Sequence, residues 1–143
     1  MPPEKPVERW RRKAADDLRA AETLLRASDP PIPYGLVCFL AQPAAEKHLK
    51  GWLVSRGLAA TRTHDLESLV RRASTLEPRF EVLRDLAARL RPFAVAPRYP
   101  GDVPEPGEHE AKRAIERAKA IRDFVDGLGP APPEQALPLG GEV

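Results

Sequence analysis

The chain has 143 residues, with 23 Lys or Arg against 21 Asp or Glu and a net charge of +2. This length suits one domain with a real core, and so small a net charge excludes a nucleic-acid binder recognisable from composition alone. A single cysteine, Cys38, excludes an internal disulfide framework; no apolar run is long enough to span a bilayer, and no h-region follows "MPPEKPVERWRRK", so the expectation is a cytoplasmic protein.

From Val7 to Ala27, Val7, Trp10, Ala14, Leu18, Ala21 and Leu25 recur at helical spacing and predict a first helix that stops at "SDPPIP", where prolines forbid continuation. Tyr34 to Arg56 is more evenly apolar, as in a helix enclosed by neighbours. Tyr34, Val37, Ala41, Ala44, Ala45, His48 and Trp52 share one side, while Gln42, Glu46 and Lys50, each four apart, form a polar row on another. Pro43 interrupts this pattern, yet "GLVCFLA" has no strand to pair with. One bent helix ending near Gly57 is therefore predicted, despite a local cost of about 3 kcal/mol.

Thr63 or Asp65 can cap a short third helix carrying Leu66, Leu69, Val70 and Ala73 inward. A fourth follows Pro78, with Phe80, Leu83, Leu86, Ala87, Leu90 and Phe93 as its stripe. "PRYPGDVPEPGE" reads as a loop, and a fifth helix runs from about Glu108 to Leu128. The expectation is an all-α, antiparallel bundle of four long helices and one short one over residues 6–128. A flexible start (residues 1–5) and a disordered Pro/Gly-rich tail (residues 129–143) flank it.

With these helices placed, "FLAQPAAEKHLKGWL", "THDLESLV" and "RYPGD", together with "ADDLRAAETLL" in the first helix, resemble the prokaryotic HEPN family over about Val7 to Val125. The resemblance implies an all-α bundle, commonly homodimeric and often encoded beside a minimal nucleotidyltransferase, in some cases as a toxin–antitoxin pair. Ribonuclease members carry an arginine four to six residues before a histidine on one helix. None of the three histidines here has such an arginine, so the resemblance is to the "RYP" subgroup, associated with nucleotide binding or with partnering a nucleotidyltransferase rather than with cleavage. At the place of Pro43 the family commonly has a residue that keeps the helix straight, often glutamine.

The site residues follow from chemistry and from that resemblance together. Arg98 and Tyr99 sit between prolines, where a guanidinium can grip a phosphate and a phenol ring can stack on a base; alternatively Arg98 pairs with Asp102 and Tyr99 packs the loop. Lys47 and Lys50 can meet phosphates or pair with Glu46, Glu22 or Asp17. His64 and Asp65 can form a helix cap in which Asp65 orients the imidazole, or a general base. His48 reads as a satisfied interior or interface histidine, and Cys38 as a small buried hydrophobe. The histidines lack metal-ligand spacing, and no cofactor is expected beyond a nucleotide ligand.

Charge is mildly polarised: residues 62–98 hold eight arginines against five acids, whereas residues 101–128 hold seven acids against five bases. Arginine-rich segments suit phosphate, but codon usage produces the same excess, so direct nucleic-acid binding is not the expectation. The expected function is a nucleotide-binding module, a partner of a minimal nucleotidyltransferase, or both, and the missing ribonuclease motif weighs against enzymatic activity in this chain. Two other readings stay open: a metal-independent RNA-cleaving toxin using Arg98 and His64 brought together in space, and a ligand-free interaction module docking through an exposed second helix.

Overall fold

The computed structural model describes residues 3–27, 29–93 and 105–128, and every regular element among them is helical. Arg98, Tyr99, Asp102 and the tail lie outside the described residues.

Helix α1 (Pro6–Leu25) starts with proline at its first position, where the missing N–H is no loss, and turns Ala14, Leu18 and Ala21 inward at helical spacing. Glu4 grips the Arg12 guanidinium through two bonds of 3.0 Å ahead of it.

Helix α2 (Tyr34–Ser55) runs unbroken through Pro43. Thirteen of its 22 residues are buried, which is why the helix survives its proline: burying one or two large side chains offsets about 3 kcal/mol. The second helix is thus the centre of the bundle, and the extensive exposed face that a docking reading needs is not there. It ends in a hydrogen-bonded glycine cap: Gly57, at φ +83°, donates to the Val54 carbonyl and Leu58 to that of Leu53. Near the same end, a Cβ at Gly51 would lie 3.1 Å from the Trp10 Cβ, so glycine lets α1 cross α2 closely.

Helix α3 (Leu66–Leu76) is capped by Asp65, whose carboxylate accepts the Glu67 and Ser68 amides at 3.1 and 3.4 Å. Asp65→Ala is expected to lower stability by about 1 kcal/mol in urea denaturation, and Asp65→Asn to keep most of it.

The expected long fourth helix is instead three pieces: a 3-10 turn (Pro78–Leu83), a two-turn helix α4 (Arg84–Leu90) and a second 3-10 turn (Arg91–Phe93). The prolines are the cause. Pro78 starts the segment, with Glu77 accepting the Arg79 amide, and Pro92 has no N–H for the carbonyl four residues back. The Ala88 carbonyl accepts from Arg91 instead, tightening the last turn. Among the described residues the bundle therefore has three long helices and two short ones, although the stripe Phe80, Leu83, Ala87 and Leu90 is buried as expected.

Helix α5 (Glu108–Leu128) completes the core with Ala111, Ala114, Ile115, Ala118, Ile121 and Val125. At the centre of one end Phe80 is fully buried, its ring 4.5 Å from that of Trp52 and 5.0 Å from that of Phe124.

Candidate functional site

A four-residue spacing puts Gln42, Glu46 and Lys50 one above another on α2. All three are buried, at 1, 5 and 4% exposure. Each polar head is satisfied. The Gln42 amide donates to the His64 carbonyl at 2.9 Å, and the Lys50 ammonium donates to Glu46 at 2.7 Å while lying 5.7 Å from the Trp10 ring centre. The Glu46 carboxylate also lies 3.0 and 3.2 Å from His64 Nδ1. An ionised carboxylate only accepts, so Nδ1 carries the proton of that bond and Nε2 is left to the surroundings.

The His64 side chain is 64% exposed, whereas that of Glu46 is 6% exposed. A buried ion pair therefore reaches the surface at one imidazole, held at its backbone by Gln42 and at its ring by Glu46. One residue further on, Asp65 caps α3, and Thr63 accepts the Asp65 amide at 3.1 Å. A buried Glu–Lys pair seldom stabilises more than an apolar pair of the same volume would, because two charges have been taken out of water. What it supplies here is a fixed orientation for an exposed histidine beside the amino end of α3.

The sequence-derived candidates separate accordingly. His64 and Asp65 stand together in the α2–α3 connection, but Asp65 is engaged in the cap, and Glu46, not Asp65, orients the imidazole. Lys47 pairs with Asp17 of α1, and Lys50 with Glu46, as the pairing alternative expects. Glu22 pairs with Lys119 of α5 instead, at 2.7 Å. Arg98 and Tyr99 fall outside the described residues. Sequence reasoning missed Gln42 and Glu46 as supports for His64; the available signal was the polar row itself, three polar residues in register on a helix otherwise rich in apolar ones.

Other groups have other fates. Cys38 is buried, and burial pushes its thiol up to about 11, which leaves it without nucleophilic character at neutral pH. His48 is interior as expected, yet its Nε2 has no hydrogen-bond partner among the described residues. The arginines of the fourth segment are taken by acids, Arg79 by Glu77, Arg84 by Glu81, Arg89 by Asp85 and Arg91 by Glu67 of α3, whereas Arg72 of α3 donates to the Ala59 carbonyl. That pairing blunts the basic character of the segment. Between α1 and α5 a groove of about 240 Å³ is lined by Glu22, Arg26, Lys112 and Lys119 among others. Its lysines are bound to Glu108 and Glu22. No group of three or more metal-ligating side chains occurs among the described residues, and none of their helices is long and apolar enough to cross a membrane.

The family model described as HEPN domain matches residues 7–128. No curated relative matches the chain. Two solved structures share its fold: ST0689, an archaeal HEPN homologue, at 29% identity and a TM-score of 0.67, and TT1696 from Thermus thermophilus, at 30% identity and a TM-score of 0.71. In each case the match covers 87% of this chain and 98% of the other. With the match spanning the whole bundle, from the first turn of α1 to the end of α5, the chain belongs to the HEPN domain family.

Proposed function

We propose that this HEPN protein binds the phosphates of a nucleotide at the α2–α3 connection and serves as the partner of a minimal nucleotidyltransferase within a toxin–antitoxin pair, acting as a homodimer. The observation that carries the binding site is the exposed His64 imidazole held by the buried Glu46. A ring held at Nδ1 by a carboxylate has little side-chain entropy to lose, and in its imidazolium form Nε2–H is a charge-assisted donor to phosphate. Asp65 shapes this connection through the α3 cap; Arg98 and Tyr99, outside the described residues, are proposed from the "RYP" resemblance to grip the phosphate and stack on the base. Lys47, tied to Asp17, contributes only after that pair opens. The nucleotidyltransferase and the pairing rest on the resemblance of the "FLAQPAAEKHLKGWL", "THDL" and "RYP" motifs.

Calorimetry with ATP, GTP, UTP and CTP tests the binding. At least one is expected to bind, and His64→Ala is expected to weaken it about 10- to 100-fold, the equivalent of one charge-assisted hydrogen bond. Failure of all four with fold intact overturns the reading.

The same histidine favours one second reading. Nε2 is the free atom of a carboxylate-held imidazole, the form a general base takes, so metal-independent RNA cleavage is the competing activity. It requires that purified protein degrade RNA in the presence of a chelator, and that His64→Ala abolish this.

A further inference from the structure

His48 lies on α2, 6% exposed, and its Nε2 is buried without a hydrogen-bond partner among the described residues. An unpaired ring nitrogen is tolerable in a core while the ring is neutral and far more costly once the ring is charged. Charged groups face it from both neighbouring helices: Arg11 of α1, and Arg122, Asp123 and Asp126 of α5. Two arginines against two carboxylates supply no net charge to hold an imidazolium, and Asp123 already accepts from Arg122 at 2.9 Å.

We propose that His48 is an acid-operated wedge between α2 and α5, whose protonation frees the last two turns of α5 from the bundle. Helix α5 is the side that yields. Helix α1 is tied to α2 by the close fit of Trp10 on Gly51 and by the pair of Lys47 with Asp17, whereas among the described residues no ion pair joins the last two turns of α5 to another helix, and Gly127 stands next to open space just beyond Asp126. Opening admits water to the imidazole, lets Asp126 turn towards it, and bares Phe124 and Val125, which otherwise pack on the core. The device is independent of any ligand at His64.

Burial pushes the His48 imidazole below its ordinary range, with the Asp126 carboxylate opposing that and Arg122 and Arg11 reinforcing it. The sign follows. The open form binds the proton more tightly, so closure is fully present above the ordinary histidine value of about 6.5 and is lost as the pH falls towards the lowered value in the closed form. Between those limits the opening equilibrium grows by up to about tenfold per pH unit.

Hydrogen-exchange protection factors for residues 118–128, measured at pH 7.5 and 5.5 on the full chain, test this. Protection in the wild type is expected to fall several-fold at pH 5.5 and to stay level in His48→Gln and His48→Leu. An equal fall in wild type and both His48 variants overturns the wedge. So does an NMR titration in which the His48 ring gains its proton at or above the ordinary histidine value of about 6.5.

Discussion

Replacing Glu46 by alanine is expected to destabilise the protein by about 3–5 kcal/mol, measured by urea denaturation at neutral pH. The size comes from what is left behind. Lys50 is 4% exposed and has Glu46 as its ion-pair partner at 2.7 Å, so removing the carboxylate strands an ammonium that the nearby Trp10 ring only partly compensates. The same change releases the His64 ring. The double variant Glu46→Leu with Lys50→Met takes out both charges and restores apolar volume, and is expected to return to within about 1 kcal/mol of wild type or to exceed it. A loss under about 1 kcal/mol for Glu46→Ala alone would mean that Lys50 reaches water without its partner, and the network would then lose its claim to fix His64.

Phe80→Ala is expected to cost a similar amount, about 3–5 kcal/mol, for a different reason. Phe80 is fully buried, with its ring against those of Trp52 from α2 and Phe124 from α5. It belongs to a 3-10 turn whose short backbone ladder contributes little by itself, so Phe80, with Leu83 beside it, attaches this segment to the core. Truncation leaves a cavity between two aromatic side chains and removes one tilted and one edge-on ring contact, worth about 0.5–1.5 kcal/mol each beyond area burial. Phe80→Leu, which keeps more of the volume, is expected to lose roughly half as much in the same denaturation experiment. Equal losses for the two variants would place the effect in backbone disruption rather than packing.

The contrast between these two sites shows what is legible in the sequence. Helical periodicity identifies most inward positions of α1 and α5, and Phe80, because burial of apolar side chains is a local pattern that a helix repeats; on α2 it marks one side only, although the polar row of Gln42, Glu46 and Lys50 is buried as well. It overextends the fourth helix. Pro78 and Pro92 are visible, but how far a proline's missing N–H propagates depends on whether a carbonyl finds a closer donor, as Ala88 finds Arg91. The cap at Asp65 is readable from its position ahead of an apolar run. The support of His64 is not, because Glu46 lies 18 residues away and its contact with the imidazole depends on how the α2–α3 connection folds back. Pairings of like strength in sequence, such as Lys47 with Asp17 or Glu22, are decided only by the crossing of α1 on α2 and the approach of α5.

In the proposed nucleotide site, the orientation of His64 by a buried carboxylate links fold to function, so the most direct measurement is nucleotide titration of the Glu46→Leu, Lys50→Met double variant by calorimetry, beside wild type. The double variant should melt as wild type does and bind the wild-type ligand at least about tenfold more weakly, because the imidazole has lost its anchor while the bundle has not. Wild-type affinity in that folded variant would contradict the assignment of the buried pair to His64 and move the binding site elsewhere.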